Sequence, residues 1–158
     1  MKRPRNRESD GVLNIRSPSI WLVGVQVAAL IFIAATGPIL AERISCMALE
    51  ILGLTVGFSA VLSMRLRQVR VSPEITPHAS LVTTGPYRFI RHPMYLAVLV
   101  VALALLLDHF SWLRGIAWLV LLGDIVAKLN YEEHLLVRHF PEYAEYRKKT
   151  KRLLPLVY

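Results

Sequence analysis

Residues Ile20 to Leu40 form a run of 21 without a single charge, and no other feature restricts the chain so strongly. As a helix such a run extends about 31 Å, the thickness of a bilayer's hydrocarbon core. Lipid offers no partner to backbone N–H and C=O groups, so a segment in it must satisfy them internally, as a helix does. Ile44 to Met64 repeats the length with one charge, Glu50. Pro93 to Leu107 is apolar but only 15 residues long. After Asp108-His109-Phe110-Ser111 comes a second short arm, Trp112 to Ala127, with Arg114 near its start and Asp124 near its end. These two arms predict a tight helical hairpin; because 15 residues are marginal for a crossing, a re-entrant hairpin is the alternative. The first stretch is not expected to be a cleaved leader, since it exceeds the usual apolar core of one and further spans follow.

The composition agrees with a lipid solvent. Apolar residues make up 54% of the chain and charged ones 19%, against roughly 25% in soluble domains. A net charge of +8 would suit nucleic acid, but the charges sit in short runs beside apolar stretches, so no nucleic-acid partner is expected. The N-terminus holds Lys2, Arg3, Arg5, Arg7 and Arg16. The segment between the second and third apolar stretches holds Arg65, Arg67, Arg70, Arg88 and Arg91. The C-terminal segment holds Lys128, Arg138, Arg147, Lys148, Lys149, Lys151 and Arg152. The other two connections hold only Arg43 and Arg114, so four crossings place 17 of 19 positive charges on one side. By the positive-inside rule both termini and the central loop are cytoplasmic. The expected fold is therefore all-α: one polytopic membrane domain over 1–158 with about four transmembrane helices and a cytoplasmic C-terminal helical extension. It divides into a helix pair (1–64), a cytoplasmic loop (65–92) and a hairpin with its tail (93–158).

The loop carries Pro73, Pro77, Gly85 and Pro86 and should be irregular. From Asp124 through His139 there is no Gly or Pro, so the fourth helix should continue into the cytoplasm until Pro141 stops or kinks it. A short helix is expected over Glu142 to Thr150. Gly53-x-x-x-Gly57 is a helix-packing pattern of low specificity, and Glu50 is expected to cap or pair locally. The lone cysteine, Cys46, excludes an intrachain disulfide, and no zinc-ligand spacing is present.

Two clusters could carry chemistry. Thr84 to Tyr95 delivers Tyr87, Arg88, Arg91, His92 and Tyr95 to the membrane surface, with Pro93 suited to the first turn of the next helix. Free backbone N–H groups at a helix N-terminus favour an anion, although Arg, His and Tyr also serve as plain interfacial anchors. In Lys128-Leu129-Asn130-Tyr131-Glu132-Glu133-His134, Lys128 and Glu132 stand four apart on one helix face. A surface ion pair of below ~1 kcal/mol is the simple reading there. Together a basic, aromatic helix start and an acidic helix end could grip a zwitterion such as S-adenosylmethionine. No Gly-rich dinucleotide fingerprint follows a strand.

Leu81-Val82-Thr83-Thr84-Gly85-Pro86-Tyr87, Arg91-His92-Pro93-Met94-Tyr95, Glu132-Glu133, Phe140-Pro141-Glu142-Tyr143-x-x-Tyr146 and Arg152-Leu153-Leu154-Pro155 follow one another in order. This series resembles the isoprenylcysteine carboxyl methyltransferase family, which is similar in turn to the membrane phospholipid methyltransferases. The resemblance covers about half the chain, from Pro77 on. It implies a S-adenosylmethionine pocket between loop and extended helix, lined by Leu81, Val82 and Tyr87, with His78 nearby. It implies cofactor contacts from His92, Pro93, Met94 and Tyr95, and a polar contact from Glu132. Lys128 stands where the family usually has an acceptor-facing arginine; it keeps the charge without the bidentate fork.

The expected activity is methyl transfer from S-adenosylmethionine to an amphiphilic or lipid-linked acceptor, such as an isoprenylcysteine-like carboxylate, in contact with membrane lipid. A carboxylate is ionised at neutral pH and needs no general base, and no residue is assigned as one. A phospholipid amine would have to lose a proton, with His92 or Glu133 as candidates. The alternatives are a non-enzymatic four-helix membrane subunit and a membrane reductase, since some sterol reductases share a similar C-terminal arrangement. No metal site is expected.

Overall fold

A computed structural model describes residues 18–64 and 81–154. The basic N-terminal residues, the loop positions Arg65, Arg67, Arg70, Pro73, Pro77 and His78, and Pro155 lie outside the described residues. Among those described there are five α-helices and no strand: α1 (Pro18–Ala35), α2 (Ile44–Ser63), α3 (Pro93–Asp108), α4 (Trp112–His139) and α5 (Tyr143–Lys149). A 3-10 turn, Gly85–Arg88, precedes α3.

Helix α1, 18 residues long, ends five residues before the uncharged run does at Leu40. It stops at Ala35 because Gly37-Pro38 follows: proline disfavours helical geometry in the residue before it. Of the described helices, α2 is long and apolar enough to cross a membrane, while Ile20–Ala35 and Pro93–Asp108 are shorter apolar helices. Helix α4 behaves as its lack of Gly and Pro near the end predicts. It runs unbroken through 28 residues, about 42 Å, and ends just before Pro141. Ser111 caps its start, its hydroxyl accepting from the Arg114 amide at 3.3 Å.

The helices pair out of sequence order. Helix α2 packs along α3, α1 packs along α4, and α3 with α4 joins the two pairs. The α2–α3 seam is built from small residues. A Cβ on Gly53 would come within 2.8 Å of Val101 Cγ2, and one on Gly57 within 3.1 Å of Ala97 Cβ. Ala60 and Ala104 are fully buried in the same two helices. Close approach of backbones is what small residues provide where no water drives association. The Gly53-x-x-x-Gly57 pattern is thus the α2–α3 contact. The other pairs enclose an apolar core of Ala29, Ile33, Leu99, Ala102, Leu105, Leu121, Ile125 and Leu129, which Leu153 joins from the tail.

The α1–α2 connection is held by carboxylates. Asp108 at the end of α3 accepts from the Glu42 and Arg43 amides at 3.0 and 2.8 Å, where α2 leaves donors unpaired. Glu50 accepts from the Ala41 amide at 2.9 Å, the local pairing expected of it. Arg114, also buried, donates to the His109 carbonyl at 2.6 Å and the Ile33 carbonyl at 3.2 Å, beneath Gly37.

Replacing Gly53 by leucine should lower stability in detergent by about 1–3 kcal/mol, the usual cost of forcing extra carbons into a filled seam. Gly123, whose Cβ position meets nothing within 4 Å, gives the contrast: Gly123→Ala should hold or raise the thermal midpoint. Thermal unfolding of both variants checks the pair.

Candidate cofactor site at the start of α3

Gly85 has φ of +60°, which an L side chain resists, and a Cβ there would overlap Ser63. The turn it opens places Tyr87 inside, where the phenol donates to the Met64 sulfur at 3.1 Å. Burial, with the nearby Glu132 and Tyr146, pushes the Tyr87 phenol well above its ordinary value, so it stays protonated. Five residues on from Tyr87, His92 enters α3 as its N-cap, with Pro93 at the first helical position. Among the described residues no side chain caps this helix start, which leaves first-turn N–H groups available to an anion.

Above this helix start lies the face of α4. His92 is buried and sits between two carboxylates, Nδ1 3.6 Å from Glu132 Oε2 and Nε2 3.7 Å from Glu133 Oε1. Its ring stacks on Tyr95 at 5.7 Å between centroids, and the Tyr95 phenol lies against Glu132. Glu132 keeps 27% of its side chain exposed. The structure therefore brings His92, Tyr95 and Glu132 together. Pro93 is buried and Met94 half-buried in the same turn of α3; Leu81 and Val82 are half-buried in the extended segment before Gly85.

Adjacent glutamates on a helix point about 100° apart, and these two have different partners. Glu133 is buried and receives Arg91 Nε on Oε1 at 2.8 Å, with Arg152 Nε and Nη2 on Oε2 at 3.1 and 3.0 Å. Arg91 also donates to the carbonyls of Arg147 and Thr150, at the C-terminal end of α5. Backbone bonds run alongside: Arg91 N to Lys151 O at 2.8 Å, His92 N to Arg152 O at 3.1 Å and Lys151 N to Phe89 O at 3.1 Å. Tyr146, its phenol pushed up to about 12 chiefly by burial, donates to the Tyr87 carbonyl at 2.6 Å. Sequence reasoning put Glu133 forward only as a possible base and gave Arg91 no partner. The available signal was the pair Glu132-Glu133 itself, since side chains about 100° apart on a helix can turn one towards a ligand and the other towards the protein.

Lys128 differs from its expected surface pairing with Glu132. Helix α1 covers that face of α4, so Lys128 is wholly buried, donating to Gln26 Oε1 and lying 3.5 Å from Asp124 Oδ2. Neither Asp124 oxygen accepts a hydrogen bond among the described residues.

The donor set suits a zwitterionic cofactor. Uncapped amides at the start of α3 match a carboxylate, partly exposed Glu132 matches an ammonium or a diol, and Tyr95 with His92 supplies ring surface. Burial would raise the Glu133 carboxyl, but His92, Arg91 and Arg152 outweigh it and hold it at about 2, against an ordinary 4.5. Because the folded value is the lower one, this contribution to stability is full above about 4.5 and is lost as pH falls towards 2. A spin label at Lys149→Cys, with Cys46 replaced, should show constant mobility from pH 7 to 5 and rising mobility only below about 4.5.

The family model for phospholipid methyltransferases matches residues 41–143, more than half of the chain, and includes α2, the 3-10 turn, α3 and α4. Over 106 residues the chain is 34% identical to the nickel-cobalt-cadmium resistance protein NccN of Alcaligenes xylosoxydans xylosoxydans, covering 65% of this chain and 49% of that protein. Over 77 residues it is 32% identical to the cobalt-zinc-cadmium resistance protein CzcN of Cupriavidus metallidurans, covering 48% of this chain and 36% of that one. The chain thus spans half the length or less of the curated relatives it matches. With its motifs gathered at one helix start and the family model running through all of them but the tail, the chain belongs to the phospholipid methyltransferase family, which includes the isoprenylcysteine carboxyl methyltransferases its motifs resemble.

Proposed function

We propose that this protein is an integral membrane enzyme that methylates an amphiphilic acceptor with S-adenosylmethionine at the cytoplasmic face. The observation that carries the reading is the meeting of His92, Tyr95 and Glu132 at an uncapped helix start. Membership of a methyltransferase family supports it. Four crossings with both termini cytoplasmic accord with the distribution of positive charge in the sequence; among the described helices α2 has the length and apolarity to cross, and α1 and α3 are shorter apolar helices.

In this reading Glu132 holds the cofactor's ammonium or ribose hydroxyls, and the first-turn amides of α3 hold its carboxylate. Tyr87, His92, Pro93, Met94 and Tyr95, with Leu81 and Val82, form the surrounding wall. When bound, S-adenosylmethionine supplies a methyl group already activated on a sulfonium. The chain's own work is then positioning and electrostatics: fixing the donor, excluding water and admitting the acceptor along the face of α4.

Lys128 is proposed as the cation nearest the acceptor, with Gln26 and Asp124 holding its ammonium. Lys128 is wholly buried under α1, so a lipid-linked carboxylate would reach that charge only where the α1 cover gives way; it would need no base. A phospholipid amine is the second reading: Asp124 already faces the Lys128 ammonium at 3.5 Å without a hydrogen bond among the described residues, and a substrate ammonium would compete for that carboxylate. The relatives' names concern metal resistance, which makes metal tolerance of the host cell the physiological setting to examine.

Titration calorimetry of the detergent-purified protein with S-adenosylhomocysteine should show saturable binding. Glu132→Gln should weaken it by about 10- to 100-fold, the loss expected for about 1.5–3 kcal/mol of hydrogen bonding to a charged group. No binding at millimolar ligand to monodisperse protein would count against the reading. Radiolabelled methyl transfer into vesicles containing phosphatidylethanolamine, run beside a prenylated cysteine acceptor, decides between amine and carboxylate.

A further inference from the structure

The segment 147–153 is fastened far more firmly than an exposed tail requires. Its carbonyls at Arg147 and Thr150 receive Arg91, its backbone pairs with residues 89–92, and Leu153 enters the apolar core. Every one of these contacts except Leu153 falls on the stretch from Phe89 to His92. The Tyr146 phenol, one residue earlier, reaches the Tyr87 carbonyl. Two residues proposed to face the cofactor, Tyr87 and His92, are thus supported from behind by the tail. At the centre lies Glu133, which holds one arginine from each side: Arg91 from the loop and Arg152 from the tail.

We infer that Glu133 is a positioning residue: by joining Arg91 to Arg152 it docks the tail behind Tyr87 and His92, so that tail docking and cofactor binding stabilise each other. The inference rests on the cofactor reading above and extends it to a residue that need not touch the cofactor. Coupling between two binding events is reciprocal, so whatever affinity the docked tail lends the cofactor, the cofactor must return as tail protection. A residue of merely structural importance would not produce that second effect.

The test uses the full chain in lipid nanodiscs, with S-adenosylhomocysteine as probe and tryptic cleavage after Lys148 and Lys149 followed by mass spectrometry. In the wild type, saturating ligand should slow cleavage there by about fivefold or more, the lower end of ordinary coupling. Glu133→Gln should speed cleavage without ligand by about tenfold, weaken ligand binding by about tenfold and reduce the protection. Arg152→Gln, at a half-buried position, should act in the same direction more mildly, and serves if the first variant does not fold. Glu132→Gln should weaken binding while leaving ligand-free cleavage at the wild-type rate. Unchanged cleavage in both tail variants overturns the inference, as does a freed tail with undiminished affinity. A wild type that binds no ligand overturns the cofactor reading and the coupling with it. That failure is recognisable because the ligand-free cleavage comparison still reports whether Glu133 fastens the tail.

Discussion

A buried carboxylate with two guanidinium partners organises the end of this molecule where α3 begins. Leaving one charge alone in a buried place is expensive, and breaking such a pair typically costs about 3–5 kcal/mol. Glu133 therefore commits three stretches that are distant in sequence: the loop through Arg91, the tail through Arg152, and α4, on which it sits. His92 is caught between that carboxylate and Glu132, so its position follows from the same arrangement. The ionic contacts specify which segments meet, while the α2–α3 seam and the apolar core supply cohesion.

Polar groups at the opposite end do a different job. Asp108 and Glu50 satisfy amides of the α1–α2 connection, and Arg114 satisfies carbonyls at the ends of α1 and α3. Asp108, Glu50 and Arg114 are there answered by backbone groups, which anchors the loop. At the start of α3, by contrast, helix amides lack a cap and a carboxylate keeps part of its surface open.

Much of this was legible in the sequence because membrane-like patterning is coarse. Apolar runs marked the helices, Pro141 marked the end of α4, and the motif from Tyr87 to Tyr95 marked the residues gathered at the start of α3. Boundaries suffered where turn chemistry outweighed hydropathy, as at Gly37-Pro38, which ends α1 at Ala35 although no charge intervenes until Glu42. Partner choice was less legible still. Spacing put Lys128 with Glu132, but which of two carboxylates four residues away a lysine meets depends on what covers the helix. Here α1 covers the Asp124 side and contributes Gln26. The same applies to Glu133, whose partners lie 42 and 19 residues away in sequence. Nothing local encodes such distances.

The exchange of partners between helices also bears on how the chain is assembled. Helix α1 is made first, yet the surface it packs against belongs to α4, and Gln26 meets Lys128 across 102 residues. Synthesis from the N-terminus thus leaves α1 waiting, exposing an uncharged amide, which is a modest burden. The ammonium of Lys128, wholly buried in the finished fold, is the costlier group to leave unpaired. It emerges last, four residues after the carboxylate that neutralises it and into the presence of an amide already in place. The order of synthesis matches the order of risk: the group least tolerant of isolation is the one that never has to be alone.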